Sequence, residues 1–357
     1  MKAILQYIII TTLTINFISA SDMRVAALGG NAGFWPEDDQ NILLFPSTMN
    51  NFNLAQIQGI SGSGDGDDYY DYRDGHSSPS QSATFLFGDG TKYGFLMTGN
   101  DDLVNIGVAR DNWGAYLGVD LDSDEVPGES GTVNSSETNL NAGFGMELGF
   151  GELGVSLATS SSDNGDGDSN NDPSGMGLGA NVRMELGVWE FSHLLASFGM
   201  ASNETGSATT SDMAASVSLF RHWNLNTDTD LLFAVGFGFE TSTSNGGMEG
   251  EKDLTETAIT LPNYTFAVET NLLDWATARA GYTSMHTLSG SVDNGDTKSS
   301  SMGDGMSSTV FGLGLEYGGF TLDVDLNPGF FTNPVSYISG NNLMSPLASQ
   351  ATITYTF

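Results

Sequence analysis

Four histidines, His76, His193, His222 and His286, are scattered along the chain, and there is no cysteine. None of the four has another histidine or carboxylate at the spacing of a zinc-protease helix, and without thiols there is neither a cysteine nucleophile nor a thiolate metal site. Serines and aspartates are plentiful, but nothing singles out one pair as nucleophile and base, so no enzymatic activity is expected. The pairs Gly143/Gly145, Gly236/Gly238 and Gly312/Gly314 superficially suggest a dinucleotide loop. They lie within alternating segments and not at a strand-to-helix turn, so they cannot cradle a phosphate. Their expected role is to leave room on one strand face and to let a sheet curve. The runs Gly62–Asp68 and Asp163–Asp168 offer oxygen ligands suited to Ca2+. The second lacks the ligand spacing and terminal Glu of an EF-hand, so solvated loops are expected, with calcium as the alternative and no other cofactor.

A second group of residues has more chemical promise. Glu147, Arg183, Glu185, Glu269, Arg279 and Glu316 stand in the middle of apolar, alternating segments. Charges there must face water or one another. They can set ionic selectivity, tether a plug, or pair across a hydrated interior.

The composition limits where such an interior can be. The 357 residues include 46 Gly, 39% hydrophobic residues and only 15% charged ones, yet 44 Asp and Glu outnumber 10 Lys and Arg for a net charge of -34. A nucleic-acid partner would need a basic face and is not expected. With 21 Phe, 11 Tyr and 5 Trp the chain is too aromatic for a disordered acidic polymer. Residues 1–20 have a basic start, an apolar stretch and small residues at Ser19-Ala20, the pattern of a secretory signal peptide. After residue 20 no apolar run is long enough for a membrane helix.

The rest of the chain has a period of two. Along Met176–Val188 every even-numbered residue is apolar, and Leu231, Phe233, Val235, Phe237 and Phe239 share one face opposite Gly236, Gly238 and Glu240. The same device recurs at 142–150, 320–327 and 350–357. Side chains alternate across a strand, so each segment has one apolar and one small or polar face. The segments often run about 10–14 residues, against about 5–6 for ordinary strands, and short turns alternate with long loops. Apolar-out, polar-in strands connected in this way predict an all-β antiparallel transmembrane barrel of 14–16 strands in the outer membrane of a Gram-negative-type bacterium. Its expected partners are outer-membrane lipid and the barrel-assembly machinery. The reading from the residues alone gives sixteen strands, with long loops at 62–80, 122–137, 161–174, 203–210, 242–257, 289–305 and 328–348. Over half of the acids fall in these loops and the short connection at 99–102. The last long loop holds no Asp or Glu and is expected to fold over the barrel mouth. Trp113, Trp189, Trp223 and Trp275 all lie at or beside tight turns, as an interfacial aromatic girdle would. His222, beside Trp223, is placed at the same girdle.

Residues 24–50 carry Ala27-Leu28-Gly29-Gly30, then Glu37-Asp38-Asp39-Gln40-Asn41-Ile42, then Phe45-Pro46-Ser47. This stretch resembles the start of outer-membrane barrels of the long-chain fatty-acid transporter (FadL) superfamily, which includes PorV-like secretion-associated barrels. The family pattern ends in Asn-Pro-Ala where this chain has Phe45-Pro46-Ser47. The resemblance implies a 14-stranded barrel with an N-terminal plug in the lumen, here residues 21–51 with Leu28, Gly29, Gly30, Asp38, Asp39 and Pro46, followed by the barrel at 52–357. It also implies either a channel or transporter for hydrophobic small molecules such as fatty acids, or a non-transporting scaffold for a secretion or surface-attachment partner. Tyr355 and the terminal Phe357 resemble the C-terminal assembly signal of bacterial outer-membrane barrels.

Overall fold

The computed structural model describes residues 23–61, 81–98, 104–128, 131–163, 172–188, 190–247, 252–295, 297–303, 305–335, 348 and 350–357. The alternating segments form β1 (Leu54–Ser61), β2 (Ser82–Phe87), β3 (Thr91–Thr98), β4 (Val104–Arg110), β5 (Trp113–Gly128), β6 (Gly131–Leu148), β7 (Gly151–Asp163) and β8 (Pro173–Val188). They continue with β9 (Phe191–Thr205), β10 (Ala208–Asn226), β11 (Thr229–Asn245), β12 (Leu254–Leu273), β13 (Ala276–Asp293), β14 (Lys298–Ser301), β15 (Gly305–Tyr317), β16 (Phe320–Leu326) and β17 (Gln350–Thr356). Each strand pairs antiparallel with the next, and β1 closes the ring on β17 through Leu54↔Thr356 to Ser61↔Gln350. The short β14 pairs only with the outer end of β13, while β13 goes on to pair with β15. The wall therefore has sixteen strands, and the fourteen implied by the family resemblance is not what this chain builds.

Face parity follows the sequence pattern. Leu178, Phe144, Phe237 and Ile353 are exposed on the outer surface, while their neighbours Asn181, Arg183, Asp323 and Thr352 are buried on the inner one. Closure leaves no sheet edge at the level where all sixteen strands pair, and an apolar outer band around a polar interior is what a strand-built wall needs in lipid. Trp113, Trp223 and Trp275 lie at the tight-turn end. There Trp275, Tyr317, Phe320 and Leu322 frame an apolar groove of about 300 Å³ on the outer surface. Tyr355 stacks near Phe320 at 4.5 Å and near Phe357 at 5.9 Å, extending this aromatic band to the C-terminus. Trp189 lies outside the described residues.

The long-loop expectations at 122–137 and 203–210 need correction, as does the one at 289–305 in part, where β13 runs on to Asp293 and β14 takes up Lys298–Ser301. Residues 122–137 are not a long loop: β5 and β6 stay paired out to Gly128↔Gly131. Residues 203–210 are a tight hairpin, with β9 and β10 paired to Ala208↔Thr205. In both cases, runs of Ser, Thr, Asn and acids that read as loop are strand continuing beyond the apolar band. In the 328–348 segment, α2 (Gly329–Thr332) sets Phe331 4.5 Å from Phe311. Phe311 faces outward on β15, so this first turn leans on the outer wall and does not fold into the mouth. Residues 336–347, and most of the Asp/Gly-rich stretches considered for calcium, lie outside the described residues.

The wall is uneven. β1 to β4, β16 and β17 have six to eight residues, whereas β5 to β13 have 13 to 20. About 9–11 tilted residues suffice to span a bilayer, so the long strands project past the membrane at the long-loop end.

The parity assignment gives a direct test. Phe237→Arg, on the outer face, is expected to destabilise the barrel by about 2–4 kcal/mol in urea unfolding from lipid vesicles. Ser216→Arg, at the same height on the inner face, should cost much less. Equal costs would contradict the assigned faces.

Candidate functional site

A sixteen-stranded ring is too wide for its own side chains to fill. The residues that fill it come from the N-terminal segment, which is too apolar to be left in water. The helix α1 (Met23–Ala27) is followed by 3-10 turns at Ala32–Phe34, Asp39–Ile42 and Pro46–Asn51. Gly29, at φ 102, and Gly30, at φ 78, end α1, and the Gly30 N–H donates back to Val25 O at 2.8 Å. A side chain at either position would strain this reversal. Asp38 caps the second 3-10 turn by accepting from Gln40 N at 2.9 Å, and Asn31 caps the first in the same way.

The two main apolar clusters both lie between this segment and the inner wall. In one, Leu28, Phe34, Trp35 and Phe45 pack against Leu195, Phe220 and Leu232. In the other, Ile42 and Met49 pack against Leu54, Leu86 and Leu96. Pro46 is fully buried. The inner wall makes room with glycine: an added Cβ on Gly154 would overlap the Leu44 carbonyl, and one on Gly114 would overlap that of Pro46. Gly145 and Gly312 from the sequence pairs also face the segment, at Pro46 and Ala27. Gly143 instead leaves space for Tyr116, and Gly236 and Gly238 face Ser218 and Thr260 within the wall. All these contacts lie near the tight-turn ends of the strands. Residues 23–52 are therefore a plug seated in that end of the lumen, touching the wall on all sides.

Charged side chains tie the plug in place. Arg24 on α1 pairs with Asp38 of the plug and reaches Glu269 on β12 through two bonds, at 3.0 and 3.1 Å. Arg279 on β13 donates to Glu269 at 2.6 Å and pairs with Asp323 on β16. On the opposite side Arg183 donates to Glu152 at 2.6 Å, to the Gly33 carbonyl at 3.1 Å and to Asn41 Oδ1 at 3.0 Å, with its guanidinium 4.6 Å from the Phe45 ring. Asn41 in turn donates to Trp35 O and Asp38 O. Breaking one partner of such a buried pair costs about 3–5 kcal/mol, because the other charge is left uncompensated. Among the described residues, Asp39 is a carboxylate of the plug with no arginine in contact. Burial, then the neighbouring Asp38, pushes its carboxyl up to about 7, against the weaker pull of Gln40 and Arg24.

The six charges singled out by sequence therefore separate into two groups. Arg183 and Glu269 bond to the plug and Arg279 braces Glu269 within the wall, while Glu147, Glu185 and Glu316 are exposed at the tight-turn rim. His222 does not belong to the outer girdle. It points inward, donating from Nε2 to Phe34 O at 2.7 Å, with Nδ1 3.0 Å from Asp230. Arg24 and His222, which bond across the seam between plug and wall, and Glu152 and Asp323, which pair with Arg183 and Arg279 within the wall, were passed over by the sequence reading. A usable signal existed for one pair: Glu269 and Arg279 are equidistant from Asp274, which places them opposite one another across the hairpin.

Beyond the plug, toward the long-loop end, the inner face changes character. It carries Asn139 and Asn141, Ser216 and Ser218, with Asp120 and Asp212 buried among them. Neither carboxylate oxygen of Asp212 has a hydrogen-bond partner among the described residues. No lysine or arginine of the described residues faces this stretch. Arg24, Arg183 and Arg279 are at the plug, Lys92, Arg110 and Arg221 are at the tight turns, and Lys252 and Lys298 are at the outer loops.

No family of known sequences matches the chain, and no curated protein does. Solved structures that are similar include the Ralstonia pickettii toluene transporter TbuX, at 9% identity and TM-score 0.30 over 95% of this chain and 99% of that one. A Pseudomonas aeruginosa FadL homologue matches at 13% identity and TM-score 0.28, over 95% and 98%. BamA from Haemophilus ducreyi lacking POTRA domains 1–3 matches at 11% identity and TM-score 0.36, over 85% and 70%.

Replacing Gly154 by valine tests the seat. Overpacking of this kind costs about 1–3 kcal/mol. Protease cleavage within residues 23–52 should then rise roughly fivefold to a hundredfold, provided it follows the released population. The barrel itself should keep its heat-modifiable gel mobility. Unchanged cleavage would mean that the plug does not sit against Gly154.

Proposed function

We propose that this outer-membrane β-barrel is a plugged channel for small polar solutes, with a preference for cations, and that the N-terminal plug controls its tight-turn end. The observation that carries the reading is the sign of the lumen beyond the plug. Asp120, Asp212 and Glu240 face it, serine, threonine and asparagine line it, and no base of the described residues neutralises it. A low-dielectric wall lined by one sign of charge concentrates counter-ions and excludes co-ions. The same surface argues against the long-chain fatty acids implied by the family resemblance, since their carboxylates would be repelled and their tails would find few apolar partners on this inner face. The net charge of -34 and the acidic outer loops draw cations toward the same mouth. A scaffold for a secretion partner would need no such polarity inside.

The experiment is a reversal-potential measurement in planar bilayers, across a tenfold KCl gradient. It uses the full-length Gly154→Val chain so that the plug does not mask the pore. The potential should report K+ passing in preference to Cl−. Asp120→Asn with Asp212→Asn should move it at least halfway to zero. A potential at zero, or one reporting Cl− preference, would rule out the cation channel. Absence of any conductance in the plug-loosened chain would favour the scaffold.

A further inference from the structure

A small cavity lies where the plug meets the short side of the wall, between the Asp39–Ile42 turn and strands β1 to β4. It leaves about 20 Å³ to the centre of a water-sized group. That is room for one water or one primary ammonium, since a single water needs about 10–15 Å³ on this measure. Its polar end is formed by Asp39, Gln40, Gln56 and Gln58, and its apolar end by Ile42, Leu43, Leu54 and Leu96.

The hydrogen bonds decide what the polar end can bind. Gln40 Nε2 donates to Asp39 Oδ1 at 3.0 Å and to Gln56 Oε1 at 3.3 Å. Gln56 Nε2 donates to Asp39 Oδ2 at 3.0 Å and to Thr354 Oγ1 at 2.9 Å. Both amide hydrogens of each side chain are used, and the Asp39 carboxylate fixes the orientation of both amides, because a reversed amide would turn its oxygen toward a carboxylate. Gln58 Nε2 donates to Gln56 Oε1, and Ser82 Oγ donates to Gln58 Oε1 at 3.1 Å. One N–H of Gln58 and the acceptor oxygen of Gln40 remain. Gln40 is only 6% exposed, yet its Oε1 has no hydrogen-bond partner among the described residues. An unsatisfied buried acceptor costs free energy until a donor reaches it.

Charge points the same way. Around the cavity and the adjoining network, four carboxylates (Asp38, Asp39, Glu269 and Asp323) face two guanidiniums, Arg24 and Arg279. The two arginines between them contact Asp38, Glu269 and Asp323, which leaves Asp39 held by the amide donors of Gln40 and Gln56 with no guanidinium against it. An anionic head group would meet acceptors and repulsion here. A positively charged donor would satisfy Gln40 Oε1 and offset Asp39 together.

We propose that this cavity binds a primary ammonium ion no larger than methylammonium, with the ammonium on Asp39 and Gln40 Oε1 and its methyl group toward Ile42, Leu43, Leu54 and Leu96. The assignment rests on the cation-channel reading and sharpens it, naming the solute class that meets the plug. A bare metal ion shares the charge but has no use for the apolar end, and a quaternary ammonium is too large for the space.

The test is isothermal titration of the full-length chain in a nonionic detergent at pH 8. Methylammonium, tetramethylammonium, acetate, NaCl and CaCl2 are each titrated. Methylammonium should bind, tetramethylammonium at least tenfold more weakly, and acetate not at all. Asp39→Asn should weaken methylammonium binding at least tenfold. Gln40→Met, which keeps the volume and removes the orphan acceptor, should weaken it severalfold. Heat-modifiable gel mobility confirms that each variant is a folded barrel. Equal binding of acetate, tighter binding of Na+ or Ca2+ than of methylammonium, or unchanged methylammonium binding in both variants would overturn the proposal. The reversal potential separates this from the broader reading: cation preference without methylammonium binding rejects the site alone, and a non-selective or anion-selective pore rejects the reading beneath it.

Discussion

A closed ring of sixteen strands cannot fill its own interior, and that constraint organises the rest of the molecule. The outer face of the wall is apolar and belongs to lipid, so the wall cannot form a hydrophobic core by packing outward. The core has to be brought in. Leu28, Phe34, Trp35 and Phe45 of the plug supply it on one side, and Ile42 and Met49 on the other. Lumen-facing glycines let the plug backbone approach the wall at Leu44 and Pro46. The plug is thus part of the packing of this barrel at its tight-turn end, which is why so much polar chemistry converges there.

The arginines act as ties across that interface. Arg24 joins the plug to β12, Arg279 joins β12 and β13 to β16, and Arg183 joins β7 and β8 to the Gly33 carbonyl and Asn41. Each pair is shielded from bulk water, so each is strong in geometry and costly to leave half-made. Spending the interior bases here has a consequence further along the lumen. None of the described residues brings a base beyond the plug to balance Asp120, Asp212 and Glu240. One allocation of a few arginines accounts for both the tethered plug and the stretch of lumen where the described residues bring acids without lysine or arginine.

Much of this was legible in the sequence. A period of two survives because one face must meet lipid and the other water, so the parity of Arg183, Glu269 and Arg279 could be read without a structure. Trp113, Trp223 and Trp275 marked the tight-turn end because amphipathic rings favour that level. The ends of β5, β6, β9 and β10 were not legible. Beyond the apolar band both faces of a strand are wet, alternation vanishes, and Ser/Thr/Asn runs look like loop. The partners of the inward charges were mostly hidden as well. Glu269 and Arg279 mirror one another across a short turn. Arg183 and Glu152 meet across a pairing whose connecting segment is long, and Arg24 reaches Glu269 only through the tertiary seat of the plug. The placement of His222 failed for a related reason: its neighbour Trp223 advertised the outer girdle, while parity put the imidazole inside.

The central claim is that a plug held by buried ion pairs closes the tight-turn end. Single-channel recording of the unmodified chain beside the Arg24→Gln, Arg279→Gln double variant tests it most directly. The unmodified chain should stay closed at moderate voltage. The variant, with its plug untied from Glu269 on β12 and with Arg279 no longer bracing Glu269 and Asp323, should show steady openings. Equal, steady conductance in both would contradict the account.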